Sequence, residues 1–276
     1  MRTILGLDVG GAKTAVVEGT DTAQILQRRE VATTAHLPFA DTFPHLTGLI
    51  TKAKEEATVN GREVVAVSVS IGGPLKISEG ILIAPPHLPG WHGIPLKQRL
   101  SEYFPNLPVF VEHDGNAGAL AEFHFGVGRG RADLRHLIFL TFGTGLGAGL
   151  IVNGRIVHGV TDTAGEVGHW RLSERGPVGF GKAGSWEGFA SGAGLVLLAH
   201  EMFPQRWSAE TPIRELVTAM LKDDTDALAV AAEAGKWMGR GMALLVDALN
   251  PQLIVLGSLA VALGERVLGP ARRALA

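Results

Sequence analysis

Two stretches of this chain follow one pattern. "LDVGGAKTAVVE" at residues 7–18 lines up with "LTFGTGLGAGLIV" at residues 140–152. In each, an apolar run predicts a strand that ends in a glycine-rich turn, and a second strand leaves at once. Similar units in the two halves predict a duplicated fold. They also argue against Rossmann and P-loop arrangements, which need a helix directly after the glycines. A glycine-rich hairpin can still cradle phosphate, because backbone N–H groups in such turns form an anion-binding concavity. Two facing hairpins could grip a triphosphate from both sides.

The pattern around these hairpins is that of an α/β chain. "TILGLDVGG", "TAVVEG" and "QILQRREVAT" predict three consecutive strands. Residues 39–58 carry helical periodicity. "EVVAVSVSIGGP" predicts a buried strand ending in a Gly-Gly-Pro turn, and "GILIAPPHLPGW" a strand running into a proline-rich loop. "IPLKQRLSEYF" predicts a short helix and "PVFVEHD" a strand, with a helix at 116–125. "HLIFLTFGTGLGAGLIVNGRIVHG" repeats strand, turn, strand, turn, strand. From Trp186 onward helices dominate, interrupted by the strand "PQLIVLGS" before a terminal helix.

Composition narrows the function classes. At 46% hydrophobic and 19% charged over 276 residues, the chain can build a sizeable core. A formal charge of −2 with no basic run gives no footprint for nucleic acid or an anionic membrane. There is no cysteine, which excludes disulfides and thiolate-ligated metals. "MRTILGLDVGG" reads as a first strand and not a signal peptide, so a cytoplasmic location is expected. No apolar stretch is long enough to span a membrane.

"VEHDGNAG" at residues 111–118 holds the most informative carboxylate. Asp114 follows an apolar strand and precedes a helix. It could bind a metal beside His113, act as a general base, or cap the helix.

Taken together, the motifs resemble the ROK family of sugar kinases, within the actin-like ATPase superfamily. "LDVGGAKT" resembles the first phosphate loop and "LTFGTGLGAG" the second. "SIGGPL" and "PPHLPGW" resemble sugar-contacting loops, and "EHDGNAGALAE" the segment with the catalytic aspartate. "AGEVGH" followed by "WEGFASG" resembles the remaining sugar-binding signature. The resemblance implies a two-lobed actin-like ATPase fold, with ribonuclease H-like duplicated lobes around an interlobe cleft. The expected lobes are residues 1–112 plus 260–276, and residues 113–259.

The resemblance also implies the chemistry: ATP-dependent transfer to a sugar hydroxyl, usually O6 of a hexose such as glucose or an N-acylhexosamine. Asp114 is then the base, and Gly73, His113, Asp114, Glu166, His169 and Glu187 meet the sugar. Asp8, Gly10, Gly11, Lys13, Thr14, Gly143, Thr144, Gly145 and Gly257 form the nucleotide and phosphate set. Asp8 holds Mg²⁺, through water, or orients the phosphates. The alternatives are a turn-forming Asp8 and a structural His169. Trp91 and Trp170 are further candidates. A homodimer is the family expectation.

The chain departs from the family in four places. Many members bind zinc through the histidine of the Gly-His pair and three cysteines. Here "GHWRLSERGPVGFGKAGSWEG" keeps His169, while Phe180, Ser185 and glycines stand where thiolates would be. A structural zinc needs four ligands, so none is expected, with Trp170, Phe180 and Trp186 filling the space by packing. His113 stands where Asn is usual, as does His87, and Ala12 replaces a common Thr. A neutral imidazole, like Asn, can donate and accept together. The alternative to a kinase is a non-catalytic sugar sensor or a degenerate kinase of the same fold. The start at the first strand, with no helix-turn-helix before it, argues against a repressor.

Overall fold

The structure is a computed structural model and describes residues 1–11 and 13–276. Ala12, the position that replaces the usual Thr, lies outside the described residues. The chain divides into two compact units. Unit 1 holds residues 1–117, 124–129 and 158–164, and unit 2 holds the remainder.

Unit 1 begins with the predicted meander: β1 (Arg2–Val9), β2 (Lys13–Gly19) and β3 (Ile25–Ala32). Helix α1 (Phe39–Val59) follows, then β4 (Glu63–Ile71), which pairs parallel to β1. A small three-stranded sheet of β5 (Leu75–Lys76), β6 (Ile81–Leu82) and β7 (Ile94–Pro95) comes next. The strand expected across "GILIAPPHLPGW" is thus only two residues long; the prolines after it cannot donate to a ladder. Helix α2 (Leu96–Tyr103) leads to β8 (Val109–His113) and α3 (Asp114–His124), which passes into unit 2. The main sheet runs β3-β2-β1-β4-β8. Period-2 alternation sends Leu5, Leu7 and Val9 of β1 into the core. From α1, Phe39, Leu46, Ile50, Ala53 and Ala57 are buried, a 3–4 residue stripe on one helix face. Each fully buried aliphatic side chain there contributes about 1.5–3 kcal/mol.

Unit 2 repeats the plan. β9 (Leu137–Phe142), β10 (Leu146–Val152) and β11 (Arg155–Ile156) form the second meander. β12 (Val178–Gly179) and β13 (Lys182–Ala183) make a separate hairpin. The helices are α4 (Trp186–Ala190), α5 (Gly192–Met202), α6 (Ile213–Leu221) and α7 (Thr225–Leu249). β14 (Leu253–Leu256) pairs parallel to β9, giving the order β11-β10-β9-β14. Each unit therefore has an antiparallel meander with a parallel strand added beside its first strand, which is the duplication the two hairpins predicted.

Two helices expected to be continuous are broken. The run after Trp186 splits at Ser191, whose Oγ accepts from Gly194 N at 2.9 Å and caps α5. The terminal helix splits at Gly264, φ 54°, into α8 (Leu259–Leu263) and α9 (Glu265–Leu275). That terminal segment was expected to return to the first lobe; it belongs to unit 2. The reason lies in α7: a Cβ at Gly235 or Gly239 would come within 2.4 Å and 2.2 Å of the Val267 and Ala271 carbonyl oxygens. The two glycines let α9 lie close against α7 and bury Val267 and Ala271.

Candidate active site

β1 and β8 place two carboxylates in unit 1. Asp8 is the penultimate residue of β1, and Asp114 follows β8 as the first residue of α3. Both strands flank β4, so their C-terminal ends lie on one edge of the sheet. Asp8 keeps a solvent-exposed surface. Even so, partial burial pushes its pKa up, the Asp114 carboxylate adds to that, and a Ser70 hydrogen bond opposes both.

The surroundings of Asp114 are ordered. Its Oδ1 accepts from Gly115 N at 2.7 Å and lies 3.3 Å from His113 Nδ1. His113 Nδ1 also accepts from Gly115 N at 3.2 Å. Glu112 supports both neighbours: its Oε1 accepts from His113 N at 2.8 Å and from Asn116 Nδ2 at 2.9 Å. Its Oε2 lies 2.9 Å from His158 Nε2. The Gly72-Gly73-Pro74 turn, with a cis Gly73–Pro74 bond, closes the other side. A Cβ on Gly73 would fall 2.9 Å from His113 Cδ2, so a side chain here would require the His113 ring to shift.

The glycines of the first hairpin are closely packed. Gly10 N donates to Lys13 O at 2.9 Å, and a Cβ at Gly11 would meet His87 Cβ at 2.8 Å. Two predicted members of this set have partners within unit 1. Lys13 Nζ pairs with Glu30. Thr14 is buried, and its hydroxyl bonds that of Thr33 at 2.8 Å. Trp91 is buried against Phe39, a core residue.

Unit 2 holds the other predicted set. Glu166 Oε2 lies 3.5 Å from His169 Nε2. Glu187, in the first turn of α4, accepts from Leu146 N through Oε2 at 2.9 Å, tying that helix to the second hairpin. A Cβ on Gly145 would fall 2.7 Å from that oxygen. The hairpin is also bonded to α5, whose Gly192 and Ala193 N–H groups donate to the Gly143 and Thr144 carbonyls at 2.7 and 3.1 Å. Beside it opens a cavity of about 590 Å³ lined by Thr144, Ala193, Val196, Thr211, Ser258 and Leu259, among others. Gly257 lies next to that lining, against Phe139, which a Cβ would approach to 2.7 Å. Of the lining residues, Gly143 and Thr144 were predicted. Ala193 and Val196 fall in the segment after Trp186 that the sequence reads only as helical, and Ser258 and Leu259 follow the strand "PQLIVLG" with no motif to mark them.

The segment expected to lack zinc is filled with aromatic contacts. His169 stacks on Phe180 at 3.7 Å, and Trp170 on Trp186 at 5.8 Å. Ser185 Oγ donates to Gly179 O at 3.0 Å and caps α4. Among the described residues, no three His, Cys, Asp or Glu side chains group as a metal site.

Similarity to known proteins follows the same lines. A glucokinase of Streptomyces coelicolor is 33% identical over 292 residues, covering 99% of this chain and 87% of that one. The crystal structure of a ROK family glucokinase from Streptomyces griseus, in complex with glucose and AMPPNP, matches with a TM-score of 0.80 and 30% identity. That match covers 99% of this chain and 88% of the other. A ROK family transcriptional regulator, a homolog of the E. coli MLC protein, shares the fold with a TM-score of 0.85 at 20% identity, over 99% of this chain and 69% of that one. The two-lobed actin-like ATPase fold is common to these structures. The ROK family pattern runs through residues 4–274, and with the duplicated sheets, the two glycine hairpins and the aspartate at the start of α3 in place, this chain belongs to the ROK family.

Proposed function

We propose that this chain is an ATP-dependent sugar kinase that transfers the γ-phosphoryl group to a hydroxyl, O6, of a hexose such as glucose or of an N-acylhexosamine. The observation that carries the reading is the pair Asp8 and Asp114 on one edge of the sheet, close enough for Asp114 to raise the Asp8 pKa. Phosphoryl transfer asks little covalent chemistry of a protein; it needs positioning, charge neutralisation and one proton acceptor.

In this reading Asp114 is the acceptor. Its side chain is 47% exposed, and the Gly115 N–H and the Glu112 network fix its direction. The sugar oxygen gives its proton to the Asp114 carboxylate and bonds to the γ-phosphorus, while the bond from that phosphorus to the β,γ-bridging oxygen breaks and ADP leaves. The two hairpins offer backbone N–H groups to phosphate oxygens, and the cavity of unit 2 takes the nucleoside. Glu166, His169 and Glu187 meet sugar hydroxyls, Glu187 through the oxygen not spent on Leu146, with Gly73 and His113 as further sugar contacts. Unpaired polar groups left by the wrong epimer would be costly, which is a basis for discrimination.

Mg²⁺ fits the donor set. Two mutually repelling carboxylates beside a serine hydroxyl suit a hard dication, and Mg²⁺ takes one or two carboxylates plus waters and phosphate oxygens. Asp8 would hold it through water, and it would neutralise phosphate charge. Family membership extends the reading to a homodimer acting in the cytoplasm.

An ADP-release assay over hexoses, amino sugars and glycosides, with wild type and Asp114→Asn, tests the reading. The substitution keeps size but removes basicity, and should cut kcat by about 10²–10⁴-fold while sugar affinity changes little. Near-full kcat in the variant would sink the mechanism. Sugar binding without turnover by the wild type would favour a sensor.

A further inference from the structure

The hairpin of β12 and β13 turns on two residues, Phe180 and Gly181, with φ of 48° and 70°. Positive φ at both central positions is the type I′ pattern, for which Asn-Gly is the favoured pair. A bulky side chain in left-handed backbone is an outlier that persists only where the surroundings hold it. Burial is not the compensation, because Phe180 is 51% exposed. What the ring gains is a stack: its centroid lies 3.7 Å from that of the His169 imidazole, with the planes 15° apart. The hairpin grips the same residue a second time, through Lys182 Nζ donating to His169 O at 3.4 Å.

The outer torsion of a histidine is broad and soft. A ring stacked on its face confines the imidazole to one plane, and both nitrogens point within that plane. Nε2 then lies beside Glu166, 3.5 Å from its Oε2. We infer that Phe180 is a positioning residue for sugar recognition: its ring holds the His169 imidazole in the orientation from which its nitrogens, next to Glu166, meet sugar hydroxyls. This rests on the kinase reading, which places His169 at the sugar.

Phe180→Asn is the informative change, since it removes the ring and gives the turn its favoured residue pair. Steady-state kinetics of the full chain with its best sugar should show a sugar KM about 3- to 10-fold higher, the loss of one aromatic stack. The kcat, the KM for ATP and the melting temperature should change little. Phe180→Tyr keeps the ring and should restore the sugar KM. In a His169→Ala background, adding Phe180→Asn should cost nothing more. An unchanged sugar KM in Phe180→Asn, or an equal further loss in the His169→Ala background, overturns the inference while the kinase reading stands. A wild-type chain that phosphorylates no sugar removes both.

Discussion

Asp114 spends one carboxylate oxygen on the Gly115 N–H at the start of α3, so its helix-start role and its proposed role as base do not exclude each other. Its neighbour His113 is where substrate choice enters. Its ring packs against the Gly72-Gly73 turn, where a Cβ on Gly73 would meet Cδ2 at 2.9 Å and Nε2 at 3.2 Å. His113→Asn puts a smaller amide there and opens space beside Gly73. If His113 shapes the sugar pocket, the variant should stay active and change its ranking of hexoses in a kcat/KM panel. Loss of turnover with every sugar would make His113 part of the chemistry. The residue type and its place before Asp114 were legible in the sequence. The contact with Gly73 was not, because it depends on β4 and β8 being neighbours in the sheet.

Elements are held in unit 1 by a buried ion pair as well as by apolar burial. Glu18 of β2 is fully buried and takes two hydrogen bonds from Arg62, Nε to Oε1 at 2.7 Å and Nη2 to Oε2 at 2.8 Å. Arg62 holds the Glu18 carboxyl below the usual carboxylate range, outweighing the opposite push of burial. A lowered folded-state pKa contributes stability above the ordinary Glu value, about 4.3, and that contribution is lost as pH falls through the folded value. Glu18→Gln should therefore lower the melting temperature by several degrees at pH 7, since it leaves the guanidinium uncompensated. The deficit should shrink as pH falls below about 4 in a series of thermal melts. A deficit that stays constant into acid would mean the charge of Glu18 contributes nothing. Nothing in "VVEG" marks Glu18 as buried; strand alternation alone does not say which face of β2 is covered. The splits at Ser191 and Gly264 were likewise unreadable, because each helix fragment is periodic by itself.

For the whole molecule, the loop between His169 and Trp186 carries the expectation that no structural zinc is bound. It is packed through the His169–Phe180 and Trp170–Trp186 stacks and the Ser185 cap. Dialysis against a chelator should leave the melting temperature unchanged, and metal analysis of the purified chain should find less than stoichiometric zinc. A full equivalent bound through His169 would overturn this. The sequence alone determined the duplication, because a glycine hairpin between two apolar strands is a local signal and occurs twice. It also determined the aspartate between strand and helix, since both flanks carry their own periodicity. Only the tertiary structure showed which partners the candidates have within the fold. Lys13 and Thr14 sit next to the first glycine turn by sequence, and the fold pairs Lys13 with Glu30 and bonds Thr14 to Thr33. The cavity of unit 2 is lined from the second hairpin, α5, the segment before α6 and the residues after β14, stretches far apart in the chain. The terminal helix went to unit 2 because glycines on α7 open a groove for it. Local patterns fix strands, turns and helix starts through short-range sterics and hydrogen bonds; partners distant in sequence are selected by close packing, which no single stretch encodes.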